Sequence, residues 1–134
     1  MGNCIISHSS PVTNLLWTNT DTTVNFSPQN INLGGISYKY LIVIVKNTSG
    51  GGVYSNSLLD LSYTAPSGSM NPSQVIMSLI TGGIVRRYVA IHNIDGDIVL
   101  QIREGVFTYT NSSGTGVDTA NNAYAIPTKI YGIK

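Results

Sequence analysis

Charge is what this sequence has least of. Only 10% of its residues are Asp, Glu, Lys or Arg, against roughly 25% in an ordinary soluble domain, so solubility falls to the Ser, Thr, Asn and Gly that crowd the segments between apolar runs. Seven basic and six acidic residues leave a formal net charge of +1, and Arg86-Arg87 is the one adjacent basic pair. A nucleic-acid surface needs a basic stripe or patch, and none is written here. Cysteine is limited to Cys4, which rules out an internal disulfide and leaves a zinc site to be built almost entirely from other ligands. Long apolar runs are missing too. The longest, Leu41 to Val45, falls far short of the roughly 20 residues that span a bilayer, so no membrane insertion is expected.

The amino terminus has neither a basic stretch nor a long apolar one and does not read as a signal peptide. Met1-Gly2-Asn3-Cys4 opens like an acylation signal, but Ile6 stands where Ser or Thr is required. Sequons occur at Asn25, Asn47 and Asn111, as chance produces in a chain so rich in Asn, Ser and Thr.

What is present is a period of two. Tyr38 to Lys46 is rich in β-branched and aromatic residues, and its near-continuous apolar centre predicts a central strand covered on both faces. Leu58 to Thr64 alternates Leu59, Leu61 and Tyr63 with Asp60 and Ser62, as a half-solvated strand does. Gln74 to Ile80, Val85 to His92, Ile98 to Ile102 and Val106 to Thr110 continue the pattern. Gly-, Pro-, Ser- and Asn-rich turns separate these runs. Asp95-Gly96 predicts a tight hairpin, and Arg103-Glu104-Gly105 a second turn that completes a three-stranded meander from about Val85 to Thr110. With 134 residues, the pattern predicts one all-β domain: an antiparallel β-sandwich of seven to nine strands, with a jelly roll as a variant. Residues 1–13, with Pro11 and no period, read as an anchoring leader, and residues 14–134 as the domain.

Residues that could do chemistry are few. The acids are Asp21, Asp60, Asp95, Asp97, Glu104 and Asp118, the histidines are His8 and His92, and no spacing joins a pair of them into an acid–base site. No Gly-x-Ser-x-Gly elbow is present. Asp95-Gly96-Asp97 could hold a cation, but Asp and Gly are also what the hairpin turn itself requires. The expectation is therefore a protein that is not an enzyme, with no catalytic residue, cofactor or metal. The aromatics carry more information. Trp17, Tyr54 and Tyr109 are the candidate contacts for a glycan or a partner, because flat amphipathic rings suit both.

The carboxy terminus interrupts strand material with Pro127, which lacks the N–H of a ladder and predicts an edge, a bulge or a junction there. Ile126, Ile130, Tyr131 and Ile133 are the candidate core or oligomer contacts, with the three isoleucines packed inward or against a neighbouring subunit and Tyr131 on the opposite face.

Two stretches carry a resemblance: Leu15-Leu16-Trp17-Thr18-Asn19 with its continuation to Ile31-Asn32-Leu33, and the ending Asn121-Asn122-Ala123-Tyr124-Ala125-Ile126-Pro127-Thr128-Lys129-Ile130-Tyr131-Gly132-Ile133-Lys134. Together they resemble a module of tail-associated and other virion structural proteins from phages of low-GC Gram-positive bacteria. The resemblance covers nearly all the chain after Asn14. It implies a β-sandwich-like domain, assembled as a homotrimer, that serves a tail or fibre as an adhesin or attachment component. It implies no catalytic residues. Other virion proteins and a host-surface glycan are the expected partners, and the virion the expected location after synthesis in the host cytoplasm. A capsid-attached head fibre or decoration protein, and a glycan-binding lectin-like module, are the alternatives.

Overall fold

A computed structural model describes residues 13–66 and 73–134. The leader therefore lies outside the described residues, Cys4 and His8 with it, except that Thr13 already opens the first strand. Eleven strand segments follow one another among the described residues, β5 being only a two-residue bridge, so the segments outnumber the seven to nine expected. They are β1 (Thr13–Thr18), β2 (Gln29–Asn32), β3 (Tyr40–Thr48), β4 (Gly51–Asp60), β5 (Ala65–Pro66), β6 (Gln74–Ile80), β7 (Gly83–Ile94), β8 (Asp97–Ile102), β9 (Val106–Thr110), β10 (Gly116–Ala120) and β11 (Tyr124–Ile133).

They form two sheets, as a β-sandwich requires. One runs β1-β11-β3-β4, and the other β10-β9-β7-β8-β2 with β5 and β6 also on β7. Successive strands pair as hairpins at β3–β4, β6–β7, β7–β8 and β9–β10. The first and last strands pair with each other. The inward positions of the period-two pattern make one core: Leu41, Val43 and Val45 of β3 meet Val85, Val89 and Ile91 of β7 in a single buried cluster. Burial of each such side chain is worth roughly 1.5–3 kcal/mol.

Three expectations change. First, β3 is central but, among the described residues, covered on one face only. Its alternate residues Ile42 and Ile44 stay partly exposed on the outer face, because an apolar run that long fills both sides of the pleat while the second sheet covers just one. Second, the Leu58–Thr64 strand stops early. β4 ends at Asp60, whose carboxylate accepts from the N–H and hydroxyl of Ser62 and turns the chain.

Third, Arg103-Glu104-Gly105 is not a hairpin. β8 and β9 both pair antiparallel with β7, at Val89–Ile94 and at Gly83–Arg86, so they lie end to end along one edge and 103–105 is a kink between them. Gly105 is needed there because an added Cβ would come within 2.5 Å of the carbonyl oxygens of Asn121 and Tyr124. The Pro127 interruption takes the bulge form, one of the three expected, within an interior strand. β11 runs between β1 and β3, and a register shift between Pro127 and Lys129 is the bulge that admits the proline. The Asp95-Gly96 hairpin forms as read, with φ of 51° and 92° at the two residues, the left-handed pair of a tight primed turn.

The sheets meet along β4 and β6 without a backbone ladder. Side chains bridge the gap instead. Met77 N–H donates to Ser57 Oγ (2.9 Å), and Ser55 Oγ donates to the Met77 carbonyl. Gln74 exchanges both hydrogen bonds of its amide with the backbone of Asp60 (2.7 and 2.8 Å). Asn47 accepts from Val53 N–H and donates to the Leu79 carbonyl. The Asn47 sequon is thus consumed in the seam.

Candidate functional site

The candidate aromatics are not brought together. Trp17 is half-buried at the rim of the core and meets Phe26 edge-on, with ring centroids 6.2 Å apart. Tyr109 sits on β9 and stacks against Phe107 at 5.3 Å. Tyr54 is exposed on β4 and lines a cleft of about 500 Å³ over the four-stranded sheet, whose other walls include Ile44, Tyr131 and Lys129.

The carboxy-terminal candidates divide between two faces. Ile126 and Ile130 are completely buried in the core. Tyr131 pairs with Ile42 and Ile133 with Tyr40, so both face outward. Of the two places expected for Ile133, the inward one beside Ile130 is excluded, because residues three apart in an extended strand point to opposite sides, and Ile133 shares the outer face with Tyr131. Gly132 takes the inward place and lies flat against the Tyr38 ring, where a Cβ would come within 2.7 Å.

Cross-strand register then assembles something the sequence reading missed. Leu15 pairs with Tyr131, Tyr131 with Ile42, and Ile42 with Leu58. This is an unbroken apolar row across the outer face of all four strands. Leu15 and Leu58 at its ends are 52% and 59% exposed. The signal was available in Leu58-Leu59, since two adjacent leucines in one strand must send one side chain outward.

The Arg86-Arg87 pair divides in the same way. Arg87 points inward and has no exposed surface. Its Nε donates to the carbonyls of Tyr124 (3.0 Å) and Ala125 (2.9 Å), its Nη1 to Arg103 (3.0 Å) and its Nη2 to Asn122 (2.9 Å). Burial pushes its pKa down to about 10, which leaves it protonated at neutral pH. The guanidinium therefore serves as a cationic clasp on the 121–125 turn, where Ala125 holds a φ of 50°. Arg86 points outward, pairs with Asp118 at 3.1 Å and lies over Tyr88, 5.0 Å from the ring centroid.

Asp95 and Asp97 flank the Gly96 turn between β7 and β8. Asp97 accepts from the Asn32 amide at 3.1 Å, and among the described residues no three of His, Cys, Asp or Glu gather in one place. The fold and its surfaces thus define a two-sheet antiparallel sandwich whose four-stranded sheet has an apolar outer face that no described element covers. No protein-family model, curated protein or solved structure matches the chain.

Proposed function

We propose that this chain is a structural subunit of a bacteriophage particle, tail- or fibre-associated, that assembles as a homotrimer and contributes to host attachment. The observation that carries the reading is the row Leu15–Tyr131–Ile42–Leu58 on the outer face of the four-stranded sheet. Contiguous exposed apolar surface of this kind marks interaction sites. Covering it removes little charge from water, since only Asp60 and Lys129 stand among its cross-strand neighbours. A further copy of the chain is the occupant this reading assigns, because a low-charge face can meet another without repulsion. The trimer and the phage setting come from the resemblance of the two terminal stretches. A capsid-attached fibre or decoration protein would use the same assembly.

Light scattering coupled to size exclusion tests it. The expected mass is about three times the 14.3 kDa of the chain. Leu58→Glu, at an exposed end of the row, should give monomers with an unchanged melting temperature. A wild-type protein that stays monomeric at micromolar concentration overturns the assembly. Antibody against the chain that fails to decorate phage particles overturns the setting.

A further inference from the structure

The chain's three arginines, Arg86, Arg87 and Arg103, all belong to one neighbourhood of the second sheet. On its outer face a cleft of about 440 Å³ opens between Arg86, Tyr88, Arg103, Glu104, Val106 and Asp118. Arg86 is held ready there. Its Nη2 bonds Asp118 Oδ2, the other Asp118 oxygen accepts from Thr108 Oγ1 at 2.7 Å, and its guanidinium lies over Tyr88.

Arg103 also lines this cleft, with its backbone fixed at both ends. Its N–H donates to the Tyr88 carbonyl (2.9 Å), and its own carbonyl accepts from Arg87 (3.0 Å). Its side chain is exposed and, among the described residues, has no carboxylate partner. Asp118 and Glu104 are the acids of the cleft, Arg86 and Arg103 its bases, and the buried Arg87 adds a third positive charge from the core side. The two acids balance Arg86 and Arg103, so Arg87 leaves the neighbourhood with a net charge of +1, and Arg103 is its exposed cation.

We propose that this cleft binds an acidic saccharide. Arg103 and the free edge of Arg86 take its carboxylate or phosphate, and the sugar ring rests on Tyr88 and Val106. Two planar guanidiniums suit the paired oxygens of such a group, and an exposed tyrosine supplies an apolar face with a hydroxyl at its rim. A neutral sugar would leave Arg103 unused. A nucleic acid would need cations tracking a backbone beyond this one cleft. The proposal deepens the attachment half of the reading above and rests on that half alone, since the cleft is on the sheet opposite the apolar row.

The test is a titration of the ¹⁵N-labelled full chain with oligogalacturonate, with phosphorylated mannan oligosaccharide and with unphosphorylated mannan oligosaccharide. Either acidic probe should shift the Arg86 and Arg103 side-chain resonances saturably, and added salt should weaken the binding. The carboxylate and phosphate arms identify which group is preferred. Arg103→Gln should lower affinity by about tenfold or more while melting temperature and oligomeric mass stay as in the wild type. Tyr88→Ala should weaken binding as well. Equal binding of the neutral oligosaccharide, no saturable shift with either acidic probe, or full affinity in Arg103→Gln would overturn the site. Trimers that bind no acidic probe leave the assembly standing without the site, and binding by monomers does the reverse.

Discussion

The guanidinium of Arg87 lies over the ring of Phe26, 5.3 Å from its centroid, in the interior of the sandwich. The contact joins the loop after β1 to the middle of β7. Phe26 N–H in turn donates to the carbonyl of Asn122 (2.9 Å), which also accepts from Arg87 Nη2. One buried cation thus ties together three segments distant in sequence, with carbonyl dipoles and a ring face in place of a carboxylate.

Replacing Arg87 should be among the most damaging single changes to this fold. Arg87→Met keeps an apolar stem but leaves the carbonyls of Arg103, Tyr124 and Ala125 without the guanidinium donor, while that of Asn122 keeps only Phe26 N–H. At about 1–3 kcal/mol for each stranded buried acceptor, the expected loss is about 3 kcal/mol or more in urea unfolding. Arg87→Lys should recover less than half of it, because one ammonium cannot reach acceptors fanned around a planar fork. A methionine variant within about 1 kcal/mol of wild type would show that the clasp is dispensable.

Gly105→Ala tests the kink between β8 and β9. The new methyl would come within 2.5 Å of two backbone oxygens of the 121–124 segment, and backbone cannot swing away as a flexible side chain can. The expected cost is about 2–4 kcal/mol, in the range of overpacking and strain. Gly116→Ala, where an added Cβ meets nothing within 4 Å, should change stability by less than about 0.5 kcal/mol. Equal melting temperatures for the two variants would contradict the crowding argument.

The strands and the Asp95-Gly96 turn were legible because a period of two and a left-handed Asp-Gly pair are local signals. The collinearity of β8 and β9 was not, since Arg103-Glu104-Gly105 has the composition of a turn and only β7, running past both, makes it a kink. The apolar row was hidden for a similar reason. Leu15, Ile42, Leu58 and Tyr131 become neighbours through pairing register, which no single stretch of sequence contains. Arg87 read as one half of a basic pair. That alternation buries it while Arg86 faces a cleft follows only once the two faces of β7 are known.

Stability should depend little on pH through the neutral range. Asp21 and Asp60 are held below their ordinary value of 3.8, chiefly by the hydroxyls of Thr23 and Ser62 and then by the N–H groups of the same residues. A carboxylate with a lowered folded pKa contributes stability that is present above its ordinary pKa and lost as pH falls through the folded one. The melting temperature should therefore stay level from about pH 5 to 8 and begin to fall only below about pH 4. Because the one ion pair among the described residues, Arg86–Asp118, is on the surface, raising salt to about 0.5 M should move the midpoint by no more than a degree or two. A steep pH dependence between 5 and 8, followed by calorimetry, would point to a titrating group other than these.

Deleting Ile130 to Lys134 should abolish folding. These residues close the middle of the four-stranded sheet, where Ile130 pairs with both Trp17 and Val43, and Gly132 with both Asn14 and Leu41. Their loss removes the core contribution of Ile130, roughly 1.5–3 kcal/mol. It also uncovers the inner edge of β3 and takes most of its ladder from β1, whose Thr13, Asn14, Leu15 and Trp17 all pair within the deleted stretch. Together these losses approach the 5–15 kcal/mol that typically separates folded from unfolded chains. Deleting Met1 to Ile5, which precede β1 and fall outside the described residues, leaves that pairing intact and should preserve a cooperative transition. Circular dichroism melts of the two truncations decide the matter. A carboxy-terminal truncation that keeps the wild-type midpoint and oligomeric mass would mean that the last five residues are a tail and that β11 does not close the sheet.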